Sequence, residues 1–355
     1  MFKRRFSGVL AFVVGAAAFL GCSAPPTESP TAGDGGNNIP TMDSGVDMPP
    51  DGAVGDKPCS ELAPRAIAPE VFVGPTGLAA KLISYIDGAT SSLHISMYQI
   101  DQGPIVEALK RAVSRGVQVH LLLDPKQDGN AAAVSDLKAG GVQIGYPSAE
   151  FSYYHVKTFV IDGDRAVVMS ANLNTYSLTT ERNHGVLLRD PYDVKDIDAV
   201  FNVDATGGQV PTCTRLVISP TNSRQRIQAL IQSAQSTLVL EQLSLADKDI
   251  RAALASRAQA GVAVRVILAN PAWITENAEA AQVLEASGIQ VRFMKNLDNH
   301  AKLIIADGKA AFVGSENLSW TSLEKNREVG VVVTETPAVS TLVSSFEADW
   351  PVAVE

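Results

Sequence analysis

Residues 93–124 read LHISMYQIDQGPIVEALKRAVSRGVQVHLLLD, and residues 238–269 read LVLEQLSLADKDIRAALASRAQAGVAVRVILA, the two aligning at a constant offset of 145. Ile105 falls on Ile250, Leu109 on Leu254 and Gly116 on Gly261. Each copy opens with an apolar strand and continues into a helix with apolar positions at helical spacing (Ile105, Leu109, Val113; Ile250, Leu254, Ala258). A second apolar strand follows, at residues 117–123 and 262–268. Strands alternating with helices imply βαβ units and a buried, mostly parallel sheet. A period near 145 is too long for a solenoid unit. The pattern predicts a duplicated α/β domain, with lobes at residues 71–210 and 211–355 related by a pseudo-two-fold axis.

The 355 residues, 46% hydrophobic and 19% charged, suffice for two such lobes. With 29 Lys and Arg against 38 Asp and Glu, the net charge of −9 argues against a general nucleic-acid-binding surface. Three cysteines are too few for a disulfide-built scaffold. At the front, Lys3, Arg4 and Arg5 precede an apolar run ending at Leu20, which is signal-segment length rather than membrane-spanning length. Its end, FLGCS at residues 19–23, resembles the lipobox of bacterial lipoproteins, with Phe19 where Leu is usual. That resemblance implies a signal at residues 1–22 and a lipid anchor on Cys22; a plain secretory cleavage would release the chain instead. In both cases an extracytoplasmic location is expected. Residues 23–70 read as a disordered, Pro- and Gly-rich tether, with seven acids and one base in residues 23–62. Cys59 and Cys213 could pair in an oxidising compartment or remain two thiols.

The offset of 145 returns at HVKTFVIDGD (residues 155–164) and HAKLIIADGK (residues 300–309), each followed by a return strand carrying Ser170 and Asn172, or Ser315 and Asn317. Gly163-Asp164 and Gly308-Lys309 suit two-residue hairpin loops with glycine first. That turn would set His155 opposite Asn172 and Lys157 opposite Ser170, and likewise His300 opposite Asn317 and Lys302 opposite Ser315. Alternation then gathers an imidazole, an ammonium, a hydroxyl and an amide on one face of each hairpin. Asp162 and Asp307, seven residues beyond their histidines, fall on the opposite face and are expected to buttress the turn.

Two imidazoles, two ammoniums and four hydrogen-bonding groups suit an anionic phosphodiester. A neutral imidazole can attack phosphorus while a protonated one donates to the leaving oxygen. Lysines and amides can hold the non-bridging oxygens. The constellation has no carboxylate cluster and two cations that repel a metal, so neither metal nor cofactor is expected. At these residues the sequence resembles the phospholipase D superfamily, whose HxKxxxxD motif occurs twice, and the Ser-x-Asn elements also fit. The resemblance spans roughly residues 71–350 and implies a two-lobed α/β sandwich with one active site at the lobe interface, so that one monomer suffices. It makes His155, Lys157, Asp162, His300, Lys302 and Asp307 the catalytic-motif residues, and Ser170, Asn172, Ser315 and Asn317 the phosphate-binding ones.

Two departures stand out. Asn326-Arg327-Glu328 fits the family's following NxE element, whose acid orients a histidine, but Asn183-His184-Gly185 at the same place in the first repeat lacks the acid. Met169 also replaces the glycine that Gly314 supplies before Ser315. On this reading Glu328 favours protonated His300. His155, without a carboxylate, stays neutral as nucleophile, and His300 is the general acid. Glu181 could partly replace the missing carboxylate, but a solvated loop charge is the favoured reading. His94 and His120 read as packed residues, and His184 has no partner in the other repeat. Glu241 and Gln242 fit a pocket role or strand-end exposure equally. Tyr153, Tyr154, Tyr176 and Trp320 flank the hairpins and could line an acyl-chain or headgroup entrance, with packing beneath loops the favoured expectation. The leading expectation is a membrane-tethered enzyme acting on phospholipid. An extracytoplasmic nuclease of the same family is the alternative, and a silent phosphate-binding module is the reading from another class.

Overall fold

The computed structural model describes residues 64–354; Cys22, most of the tether and Cys59 lie outside the described residues. Cys213 is half-buried ahead of the first strand of the second lobe.

The first lobe contains strands β1 (Glu70–Val73), β2 (Ser92–Met97), β3 (Gln118–Leu123), β4 (Gln143–Gly145), β5 (Lys157–Ile161) and β6 (Arg165–Met169). Strands β7 (Glu181–Arg182) and β8 (His184–Leu188) complete it. Its helices are α1 (Leu78–Asp87), α2 (Pro104–Ser114), α3 (Ala131–Ala139), α4 (Thr175–Thr179) and α5 (Pro191–Thr206). The second lobe repeats the series with β9 (Leu216–Ser219), β10 (Thr237–Gln242), β11 (Ala263–Leu268) and β12 (Gln290–Phe293). Then come β13 (Asp298–Asn299), β14 (Lys302–Ala306), β15 (Ala310–Gly314) and β16 (Glu328–Val333). Its helices are α6 (Ser223–Ser233), α7 (Lys248–Gln259), α8 (Glu276–Glu285), α9 (Trp320–Glu324) and α10 (Thr336–Asp349).

The sheet orders, β4-β3-β2-β5-β6-β8-β1 and β12-β11-β10-β14-β15-β16-β9, are the same path taken twice. Both sheets are mixed, which corrects the mostly parallel expectation: β2–β3–β4 and β10–β11–β12 run parallel, and every other pairing in the two sheets is antiparallel. The reason lies in the motif hairpins, which insert β5–β6 and β14–β15 at the sheet centres, and a hairpin can only be antiparallel.

Each sheet buries one face under its own helices, with Leu82, Leu109 and Phe159 in the first lobe and Leu254, Leu240 and Phe312 in the second. The opposite faces share a third core, in which Val160 and Val168 meet Leu303, Val313 and Val329, with Ile197 of α5 and Phe346 of α10. This joint burial fixes one lobe on the other through non-directional apolar area. A directional tie is added by β7 and β13, which pair in parallel across the lobes with Glu181 beside Asp298 and Arg182 beside Asn299.

The hairpin turns differ from the expected loop. Asp162 and Gly163 both take positive φ (53° and 70°), as do Asp307 and Gly308 (53° and 61°). The central pair is therefore Asp-Gly, closed by Asp164 N–H to Ile161 O at 3.1 Å and Lys309 N–H to Ala306 O at 2.9 Å. Ile161 pairs with Arg165 rather than Ala166, shifting the ladder by one residue. Aspartate tolerates the left-handed region, and from there its carboxylate reaches the adjoining strand. Asp162 accepts the N–H groups of Thr90, Ser91 and Ser92 at 2.7–3.1 Å, capping the start of β2. Asp307 does the same for Gln235, Ser236 and Thr237 at the start of β10. The buttressing role expected of both aspartates is this strand-entry clamp.

The second departure, Met169, is a volume exchange. In lobe two a Cβ on Gly314 or Gly330 would lie 2.5 or 2.8 Å from the Glu316 carboxylate, which fills the space between them. In lobe one Ala171 stands in place of Glu316, and Met169 fills the room beside Gly185, whose Cβ would lie 2.8 Å from that of Met169. Close packing tolerates exchanges that conserve volume.

The clamp aspartates give a stability test. Burial alone would raise their pKa values, but the backbone donors outweigh it and hold both carboxyls below the usual range. A depressed folded pKa contributes stability above the unfolded pKa near 4 and loses it as pH falls further. Asp162→Asn and Asp307→Asn should each lower unfolding stability by about 1 kcal/mol at pH 7. The difference from the unsubstituted protein should shrink below about pH 4 in urea titrations.

Candidate active site

His155 precedes β5 and His300 precedes β14, where each backbone leaves its own lobe to touch the other. His155 N–H donates to Arg327 O at 2.9 Å, and His300 N–H donates to Arg182 O at 3.1 Å. Two residues on, Lys157 and Lys302 are fully buried. Each ammonium donates to the carbonyl of its own motif histidine, Lys157 to His155 at 3.0 Å and Lys302 to His300 at 2.8 Å. An ammonium has three donors, so both retain N–H groups for a ligand. The Lys157 ammonium also lies 5.2 Å from the Tyr98 ring centroid, and that ring meets the His155 ring edge-on at 4.6 Å.

The side-chain partners of the histidines also come from the opposite lobe. His155 Nδ1 lies 2.7 Å from Glu328 Oε2, whose other oxygen accepts from Ser322 Oγ at 2.6 Å and Asn326 Nδ2 at 3.0 Å. His300 Nδ1 lies 3.0 Å from Asn183 Oδ1 and 3.5 Å from Glu181 Oε2. This corrects the expected pairing of Glu328 with His300: the carboxylate crosses the interface to His155. The acid read as missing from the first repeat is a separate error, made by setting Asn183 against Asn326. Held at the offset of 145, Glu181-Arg182-Asn183 lies on Asn326-Arg327-Glu328, with carboxylate and amide exchanged. Glu181 is buried, not a solvated loop charge. The paired contacts of Arg182 and Arg327 confirm the alignment.

Burial lowers the pKa of His155, and Glu328 offsets only part of it. Burial lowers His300 much further, aided by the charges of Lys302, Lys157 and His155. Burial brings Lys157 down to about 7 and takes Lys302 well below the ammonium range, with Lys157 adding like-charge repulsion. Burial works against the Glu328 anion, but the facing His155 and Lys157 hold its pKa below the ordinary value. These mutual influences place both imidazoles and both ammoniums in one electrostatic neighbourhood. Glu181, Glu316 and Glu328 favour the charged form of both lysines there, but burial outweighs them.

The four hydroxyl and amide groups divide by role. Ser170 Oγ donates to Asn183 Oδ1 at 2.7 Å and accepts His184 N–H at 3.0 Å, so it positions the His300 partner. Ser315 Oγ accepts Val329 N–H at 3.0 Å. The side-chain oxygens of Asn172 and Asn317 have no hydrogen-bond partner among the described residues; an amide oxygen only accepts, so a phosphodiester oxygen would be met by the amide nitrogens instead. Because the ladder is shifted, Lys157 and Ser170 are not cross-strand partners.

Among the other residues, His94 stacks on Phe201 at 4.6 Å with Nδ1 2.6 Å from Asp198, and His120 packs against His94. His184 is buried and held neutral, its pKa brought down to about 3 by burial and Arg182. Glu241 and Gln242 are fully buried, which removes the exposure alternative, and burial drives the Glu241 pKa well up. Tyr154 packs inside as expected. Tyr153, Tyr176 and Trp320 instead keep 42%, 50% and 57% of their surface exposed. Sequence reasoning missed Tyr98 and Asn183; the first carries no motif, whereas the second was accessible by carrying the repeat offset eleven residues past Asn172.

Residues 82–205 and 227–350 each match the family described as "Cardiolipin synthase, PLD-like domain". A probable cardiolipin synthase of Bacillus subtilis is 24% identical over 311 residues, covering 74% of this chain and 61% of that protein. Phospholipase D Y of Dictyostelium discoideum is 33% identical over 112 residues, covering 30% of this chain and 25% of that one. The chain thus spans about three-fifths of the length of the cardiolipin synthase it matches. In fold it is similar to the phosphatidylserine synthase of Haemophilus influenzae, with a TM-score of 0.63 at 14% identity over 82% of this chain and 87% of that one. Duplicated motifs, duplicated sheets and two family matches, one per lobe, agree: the chain belongs to the phospholipase D superfamily.

Proposed function

We propose that this protein is a phosphodiesterase or phosphatidyltransferase acting on phospholipid through a covalent phosphohistidine. The observation that carries the reading is the crossed support of the two histidines. Each Nδ1 faces a partner from the opposite lobe, so each Nε2 is the nitrogen left for chemistry.

His155 is the nucleophile in this proposal, for a reason different from the one the sequence suggested. Attack through Nε2 builds positive charge on the ring, and the ionised Glu328 2.7 Å from Nδ1 balances it. His300 faces a neutral amide first, so its imidazolium is the less stabilised and gives up its proton more readily. The Nε2 lone pair of His155 forms a bond to phosphorus, the ester bond to the headgroup breaks, and the leaving oxygen takes the His300 proton. Water or an alcohol then returns a proton to His300 as its oxygen attacks phosphorus, and the bond to His155 breaks. Lys157, Lys302, Asn172 and Asn317 hold the non-bridging oxygens through both steps.

A phospholipid substrate is supported by the acidic chain and by relatives named for cardiolipin synthesis and phospholipase D. An anchor at Cys22 would add a high effective concentration at a membrane. Release of phosphatidic acid from phosphatidylglycerol or phosphatidylcholine vesicles, compared with plasmid nicking in chelator, tests the substrate class. Plasmid nicking without lipid turnover would overturn the lipid reading in favour of a nuclease, whose activity should fall steeply with salt.

Two outcomes test the site. His155→Ala and His300→Ala should each reduce turnover by about 10³-fold or more, and acid-quenched protein should carry the phosphoryl adduct on His155; an adduct on His300 reverses the roles. A soluble phosphodiester keeps one negative charge near neutrality and should raise the Lys157 pKa from about 7 on binding. Binding then takes up a proton above pH 7. Inhibition should weaken as pH rises, by up to about tenfold per unit, and Lys157→Met should reduce that slope, with Lys302 contributing the remainder.

A further inference from the structure

The chain runs extended into each motif hairpin, and alternate side chains of an extended segment share a side. Tyr153 therefore lies on the side of His155, and Asp298, its counterpart at the offset of 145, on the side of His300. Tyr154 and Asn299, between them, are buried. The two flanking positions carry opposite chemistry. Tyr153 meets Tyr98 edge-on at 6.0 Å, and Tyr98 covers the His155 ring. Ser152 N–H donates to Lys325 O at 3.0 Å, and the Lys325 ammonium lies 5.3 Å from the Trp320 ring centroid. The His155 side of the cleft is thus aromatic and cationic. On the His300 side, Asp298 accepts the Tyr176 hydroxyl across the lobes, and its N–H donates to Thr180 O at 3.4 Å. Thr180 stands where the second lobe has Lys325. Asp298 is only half-buried and Tyr176 is exposed, so the pair is open to a ligand.

An in-line displacement sets the nucleophile and the leaving oxygen on opposite sides of phosphorus. With His155 as nucleophile, the leaving oxygen lies against His300, and the alcohol attached to it lies beside Asp298 and Tyr176. We infer that the Asp298–Tyr176 pair is the subsite for the alcohol that leaves and for the one that re-enters, and that it selects an alcohol bearing hydrogen-bond donors. A carboxylate only accepts hydrogen bonds, and a phenol whose proton is given to that carboxylate has only lone pairs left to offer. The pair therefore matches a second hydroxyl or a primary ammonium on the headgroup. An anionic headgroup meets like-charge repulsion from Asp298. The diacylglycerol portion is left to the aromatic side, where Tyr153 and Trp320 offer exposed apolar surface.

The selectivity rests on the phosphohistidine reading with His155 as nucleophile, and its test separates the two. Vesicles of phosphatidylethanolamine supply an ammonium donor, phosphatidylglycerol supplies hydroxyl donors, and phosphatidylmethanol supplies neither. Asp298→Ala should lower kcat/KM about tenfold for the first two and leave the third within about twofold. Asp298→Asn keeps an acceptor oxygen without the charge, so it should cost more with the ammonium than with the hydroxyls. Equal losses on all three lipids, or none, in Asp298→Ala protein of normal thermal stability would overturn the subsite; an adduct on His155 in the same protein would leave the phosphohistidine reading standing. If no lipid is cleaved, calorimetry with glycerophosphoethanolamine, glycerophosphoglycerol and dimethyl phosphate decides. Weakening of the first two by about fivefold in Asp298→Ala, with dimethyl phosphate unchanged, keeps the subsite while the enzymatic reading falls. Unchanged binding of all three overturns the subsite as well.

Discussion

Everything at the centre of this molecule depends on imidazoles being held by the lobe that does not carry them. A histidine can attack phosphorus only if one ring nitrogen is committed to a proton and the other is bare, and the acceptor at Nδ1 decides which is which. Here the acceptors, Glu328 and Asn183, arrive from across the interface. The shared apolar core and the parallel pairing of β7 with β13 place them. The energy that docks the lobes is mostly apolar burial, and the geometry it fixes is the chemical one.

Duplication would make the two halves equal, and the sequence breaks that equality at few points. The carboxylate and the amide change places, Met169 and Ala171 change volume with Gly314 and Glu316, and Tyr98 covers His155 where the second lobe has Leu243. Each change preserves packing or hydrogen bonding overall, so the fold tolerates it. Together they give a nearly symmetric scaffold two histidines in different surroundings, which suits the one-nucleophile, one-proton-donor reaction proposed above.

Much of this was legible in the residues. The repeat offset, the paired strands and helices, and both His-x-Lys motifs followed from periodicity and spacing, because burial imposes those patterns along the whole chain. The mixed character of the sheets was implied by the hairpins but masked by the apolar βαβ runs. The turn residue was misread for a local reason: glycine first is one of two Asp-Gly-compatible solutions, and the clamp made by the Asp162 carboxylate selects the other. Its partners at Thr90 to Ser92 lie some seventy residues away in sequence. The Glu328 partner was misassigned because a crossed contact has no short-range signature. Proximity in sequence favours His300, whereas the folded lobes bring Glu328 to a residue 173 positions away.

The crossed support also bears on how the protein fails. Because neither lobe contains both a ring and its acceptor, fraying at either side releases a proton acceptor on the other. On the proposed mechanism, damage there would extinguish catalysis before it melts a lobe. Turnover in such a scaffold is a gauge of interdomain seating, and inactivation should run ahead of the loss of secondary structure on heating.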